Sequence, residues 1–155
     1  MKTKSLVRAA LIAALYVALT MLTQPIAFGA WQVRIAEAMT VLPFIMPEAI
    51  VGLTIGCLLS NILGGFGMLD IVFGTLATLL AAVLTYKAKK IWLAPVPPVI
   101  VNAIVIGIIV SYSSGLSQEL YIPSMLTIGL GQLIACFGLG MPLLYIMIKT
   151  MPKKG

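Results

Sequence analysis

The sequence predicts an all-α membrane protein: one compact bundle of six transmembrane helices with both termini cytoplasmic. Three observations carry this expectation. The mean hydropathy is +1.15, with 61% of the 155 residues hydrophobic and only 9% charged. A soluble domain of about 150 residues buries only about 70% of its unfolded surface, too little to hide that much apolar area. Apolar runs long enough to cross a bilayer recur from one end of the chain to the other. Finally, the cations form three groups: Lys2, Lys4 and Arg8; Lys87, Lys89 and Lys90; and Lys149, Lys153 and Lys154. Arg34 stands apart. Cations that flank apolar runs fix orientation in a membrane. The net charge of +6 is therefore read as membrane-flanking, not as a nucleic-acid footprint. The strict alternation of a transmembrane β-barrel is absent. Residues 1–155 read as a single integral-membrane domain.

Each span follows from these groups. Helix 1 covers Ala9 to Thr23, behind the first cations. Ala27, Phe28 and Gly29 have the small-residue character of a signal-peptide cleavage site, but helix 1 is expected to be retained. Ile35 to Leu63 is the ambiguous stretch. As one kinked helix it puts the Lys87 group outside. As two short helices broken near Pro43 to Pro47, helices 2 and 3, it returns all three cationic groups to the cytoplasm. Both fall short of the roughly 20 residues of an ideal span. Helix 4 covers Asp70 to Tyr86, after a glycine-rich turn at Gly64, Gly65 and Gly67. Helix 5 covers Ile91 to Val110. A polar turn from Ser111 to Pro123 leads into helix 6, Ser124 to Ile148.

This topology gathers the polar side chains at the outer end. Trp31, Arg34 and Glu37 lie at or near the outer end of helix 2, Asn61 near that of helix 3, and Asp70 at the start of helix 4. Asn102 lies past the middle of helix 5, and Gln132 about two turns into helix 6. The inner half is nearly uniform aliphatic, and Glu48 falls on that side. Ionisable groups within a membrane domain are costly and line cavities or pair with one another. The pattern predicts a polar pocket open to the outside and closed below. A channel would need polar lining throughout.

Each candidate has a plainer alternative. Arg34 and Glu37, three residues apart, could form a structural ion pair. Asp70 could be an N-cap. Asn61, Asn102 and Gln132 could merely bridge helices, and Trp31 could belong to an interfacial belt. As ligand groups, a carboxylate such as Glu37 accepts two parallel N–H bonds from an amidine-like edge, such as that of a guanine. Trp31 offers a stacking plate for a flat ring. Ala9, Ala10, Ala13, Ala14 and Ala18 give helix 1 a small-residue face, suited to internal packing or to a partner. Gly52 and Gly56 form a GxxxG read as internal packing. Cys57 and Cys136 are read as packing residues. With no histidine, a metal site is not expected. No nucleophile–base pair and no P-loop is present, so the chain is not expected to be an enzyme. Any ATP-driven transport needs an ATPase from another chain.

VRIAEAMTVLPF at 33–44, the stretch from Gly56 to Tyr86 and the alanine-rich helix 1 together resemble the QueT family, substrate-binding S components of energy-coupling factor (ECF) transporters. The resemblance covers nearly the whole chain. It implies a multi-pass protein of the bacterial cell membrane that captures a queuosine precursor from outside. The precursor would be a 7-deazaguanine such as 7-aminomethyl-7-deazaguanine or queuine. It implies a transmembrane coupling subunit and two ATP-binding cassette ATPases as partners, with ATP used by them and no cofactor in this chain. It makes the alanine face, including Ala9, Ala10, Ala13 and Ala14, the coupling surface, and the loop at about Gln24 to Val33 a lid. The alternatives are an S component for another small vitamin-like molecule and a non-transport membrane assembly subunit.

Overall fold

The computed structural model describes residues 2–24, 34–65, 67–113, 115 and 121–150, and among these there is no β-strand. Six helices are present among them: helix 1, Thr3–Leu22; helix 2, Ile35–Phe44; helix 3, Glu48–Gly64; helix 4, Asp70–Tyr86; helix 5, Ile91–Ser113; and helix 6, Tyr121–Thr150. Helices 1, 5 and 6 are long and apolar enough to span a membrane, whereas helices 2, 3 and 4 are shorter apolar segments. Helix 1 begins at Thr3, a turn and a half earlier than its apolar run, so Lys4 and Arg8 ride on its opening turns. Helix 6 begins at Tyr121, so Pro123 lies in its first turn. Proline is tolerated there because the N–H it lacks would have no partner within the helix.

The break between helices 2 and 3 falls where the prolines put it. Phe44 ends one helix and Glu48 begins the next, with Pro47 at the cap position. Helix 2 is wound as a 3-10 helix over all ten residues. That winding rises about 2.0 Å per residue, so the segment spans about 20 Å where an α-helix of equal length would span about 15 Å. Every residue from Ala36 to Pro43 is buried. Helix 2 packs against helices 1, 3, 4 and 6 and receives a hydrogen bond from helix 5. It is the central post of the bundle.

Small residues set the spacing around that post. A Cβ on Gly52 would stand 2.6 Å from the Ala9 carbonyl oxygen, and one on Gly56 would stand 2.8 Å from the Tyr16 Cβ. Helices 1 and 3 are therefore in backbone contact through the GxxxG. A Cβ on Gly140 of helix 6 would meet the Ala38 carbonyl at 2.9 Å, whereas Gly138 faces open space. Gly52→Ala is expected to destabilise the bundle by about 1–3 kcal/mol, since the atom in its way is backbone that cannot swing aside. Thermal melting in detergent measures this. Gly138→Ala, made in parallel, should melt like the parent.

The core joins Tyr16 of helix 1, Met39 and Leu42 of helix 2, Leu53 and Cys57 of helix 3 and Ala82 of helix 4. Outside it the polarity is reversed. Leu11, Leu15, Leu76, Leu80, Leu126 and Leu130 are all exposed, while Arg34, Glu37, Asn61, Asn102 and Gln132 are buried. Exposed leucine on helices 1, 4 and 6, with exposed Ile100, Ile104 and Ile108 on helix 5, around a buried polar cluster is the arrangement of a membrane bundle. At the end where helices 1 and 3 begin, Arg8 and Glu48 form an ion pair at 3.1 Å.

Two helices carry wide π turns: Asp70–Gly74 at the start of helix 4 and Ile134–Gly140 in the middle of helix 6. Such turns are rare and cluster at functional sites. Both lie beside the polar cluster.

Candidate ligand-binding site

The cluster sits at the end of the bundle formed by the start of helices 2 and 4 and the close of helix 3. Arg34 precedes helix 2 with extended backbone (φ −83°, ψ 99°), and its carbonyl accepts the Glu37 N–H at 2.9 Å. The side chain of Glu37 turns into the bundle. Its Oε1 accepts the Tyr16 hydroxyl of helix 1 at 2.5 Å, and its Oε2 accepts the Asn102 amide of helix 5 at 3.0 Å. Glu37 is 1% exposed. A carboxylate so placed must be held by hydrogen bonds, because an unpaired buried charge is prohibitively costly.

The second half of the cluster forms around Asp70. Arg34 Nη2 lies 3.8 Å from Asp70 Oδ1, and Asn61 Nδ2 donates to the Asp70 carbonyl oxygen at 2.8 Å. Asp70 does not cap helix 4. It lies inside the π turn, no side-chain cap bond forms there, and its carboxylate faces the guanidinium instead. Asn61 Oδ1 is buried and meets no hydrogen-bond partner among the described residues; neither does Ser60 Oγ on the same turn.

A third group surrounds Cys136 in the π turn of helix 6. Its thiol lies 3.6 Å from the Glu37 carbonyl and 3.5 Å from Gln132 Oε1. Thr40 also donates to the Glu37 carbonyl, at 2.6 Å. Cys57 mirrors this near helix 4, where it receives the Thr78 hydroxyl at 3.2 Å. Both thiols are buried and free.

Arg34, Glu37, Asn61, Asp70, Asn102 and Gln132 thus lie around one end of the bundle, supplied by helices 2 to 6. Trp31 lies outside the described residues, as do residues 25–33 of the lid segment. Tyr16 was not among the residues singled out from sequence, where helix 1 read as an apolar, alanine-lined span. The available signal is its register: Ala9, Ile12, Ala13 and Tyr16 recur at helical spacing and form the buried face of helix 1. No cluster of metal-ligating side chains occurs among the described residues.

The alanines of helix 1 divide between two faces. Ala9 and Ala13 are buried against Gly52 and Gly56. Ala10 and Ala14 are exposed. With Ala18, Val51, Ile55 and Leu59 they border an outward-facing apolar groove of about 640 Å³ between helices 1 and 3.

No solved structure matches this chain. Over 80 residues it is 40% identical to the queuosine precursor transporter QueT of Lactococcus lactis subsp. cremoris. That alignment covers 50% of this chain and 47% of the relative, about half the length of each. The description of the QueT transporter family fits residues 6–149. That stretch takes in every charged and amide side chain of the buried cluster and nearly all of the six helices, three of them long and apolar enough to cross a membrane, so the chain belongs to the QueT transporter family.

Proposed function

We propose that the chain is the substrate-binding S component of an ECF-type importer, a single domain over residues 1–155 that captures a 7-deazaguanine queuosine precursor from outside the cell. The observation that carries this reading is the convergence of charged and amide groups from five helices at one end of a bundle whose exterior is apolar. Membership of the QueT transporter family and the name of the Lactococcus relative support the same cargo. Both termini are cytoplasmic in this reading, because the three cationic groups then lie inside.

The residues divide the work by chemistry. Glu37 keeps lone pairs beyond those used by Tyr16 and Asn102, since a carboxylate offers about four acceptor sites. These accept the N–H groups of the guanine-like edge. Asn61 Oδ1, without a partner among the described residues, accepts another N–H. Asp70, joined to Arg34 by the ion pair, favours a cationic aminomethyl substituent. Arg34 donates to the ring carbonyl, Gln132 meets a remaining polar edge, and Trp31 covers the ring. ATP hydrolysis belongs to partner ATPases. Ala10 and Ala14 form the exposed part of the coupling surface, with Ala9 and Ala13 fixing the depth of its floor.

The test is a thermal-shift screen of purified protein against deazapurines, purines and common vitamins. At 100-fold excess over its dissociation constant, the true ligand stabilises the fold by about 2.7 kcal/mol. A 7-deazaguanine is expected to give the largest shift. A larger shift from an unrelated vitamin, or none from any deazaguanine, overturns the cargo assignment.

A further inference from the structure

We infer that Tyr16 is a specificity-determining positioning residue, which fixes the Glu37 carboxylate so that it selects ligands bearing two parallel N–H donors. This rests on the reading of Glu37 as a ligand group.

The geometry has three parts. The Tyr16 hydroxyl donates to one Glu37 oxygen at 2.5 Å, within the short range of charge-assisted O–H···O⁻ bonds. Asn102 donates to the other oxygen from helix 5 at 3.0 Å. Two donors on different helices, one to each oxygen, prevent the carboxylate from swivelling. Among the described residues they are the donors to this carboxylate, occupying about two of its four acceptor sites and leaving one on each oxygen. Two adjacent open acceptors match two parallel N–H donors and little else. A 2-aminopyrimidin-4-one ring presents such a pair through its ring N–H and its exocyclic amine. The same ring without the amine fills only one acceptor.

The surroundings favour this role over packing alone. Tyr16 is 1% exposed, yet its hydroxyl is not left to water or to its own helix. Gly56 makes the approach possible, since a Cβ there would stand 2.8 Å from the Tyr16 Cβ. Thr20 Oγ1 donates to the Tyr16 carbonyl oxygen at 2.8 Å within helix 1, whereas the phenol reaches across to Glu37 of helix 2. Phenylalanine would fill the same space and leave the carboxylate tethered on one side only.

The test compares 7-aminomethyl-7-deazaguanine with its analogue lacking the 2-amino group, by calorimetry on the full chain in detergent. The parent is expected to prefer the amino compound about 100-fold. Tyr16→Phe should reduce that preference about tenfold, mainly by weakening the amino compound. In a Glu37→Gln background, Tyr16→Phe should change the preference no further. Incorporation of 3-fluorotyrosine at position 16 strengthens the phenol as a donor and should keep the preference at or above that of the parent, which guards against a folding defect in the phenylalanine variant. An unchanged preference in Tyr16→Phe, or an equal loss for both ligands, overturns the inference while leaving the cargo assignment standing. Failure of the parent to bind either deazapurine overturns both.

Discussion

Glu37→Gln should weaken binding of 7-deazaguanines about 100-fold while the bundle stays folded. The substitution keeps the shape of the side chain and its acceptor toward Tyr16. It replaces the other oxygen with an NH₂ group, which meets the Asn102 amide donor now 3.0 Å away and presents donors where the ligand also has donors. Hydrogen bonds to a charged group contribute about 1.5–3 kcal/mol each. Losing one such bond and opposing another removes roughly two decades of affinity. Stability should fall by only about 1 kcal/mol, because Asn102 can turn its carbonyl toward the new amide. Calorimetric titration gives the affinity, and melting of the ligand-free protein gives the stability. An affinity within threefold of the parent would remove Glu37 from the site.

Ala14→Trp should abolish uptake in cells while leaving ligand affinity unchanged. Ala14 lies on the exposed side of helix 1, bordering the groove together with Val51 and Ile55. A tryptophan there fills the channel that a partner helix needs for close approach, and packing between membrane helices depends on small residues at the contact. The side chain is exposed whereas Tyr16 is buried on another face of helix 1, so the polar cluster is untouched. Ala13→Trp should behave differently. Ala13 packs against Gly56, where a Cβ would already stand 3.1 Å from the Ala13 carbonyl, so this variant should fail to fold. Radiolabelled uptake together with binding to the purified protein separates the two. Normal transport by Ala14→Trp would mean that the partner docks elsewhere.

Much of the fold was legible from a few residues. The cationic groups and the apolar runs between them define the spans, and Pro43 and Pro47 mark the break between helices 2 and 3. What could not be read is how those short helices are wound. The 3-10 winding of Ile35–Phe44 and the π turns at Asp70–Gly74 and Ile134–Gly140 are answers to tertiary packing, since neither winding has a local propensity strong enough to read from one sequence. That explains Asp70. The glycine turn before it suggests a cap, but helical backbone already begins at Met68, so the carboxylate is released to face Arg34. The candidate site was legible through cost: six of its side chains, Arg34, Glu37, Asn61, Asp70, Asn102 and Gln132, are polar groups that an apolar bundle would not otherwise carry. Tyr16 escaped that criterion because a tyrosine is half apolar, and only a distant partner, Glu37, turns its hydroxyl into part of the site.

The all-round burial of helix 2 has a consequence for biogenesis. A ten-residue segment with no lipid-facing side, led by Arg34 and Glu37, has little to gain from leaving the translocon for acyl chains on its own. Its integration is a collective event, carried by the hairpin partners on either side. The ring around this strut closes only when helix 6 emerges and brings Gly140 against the Ala38 carbonyl.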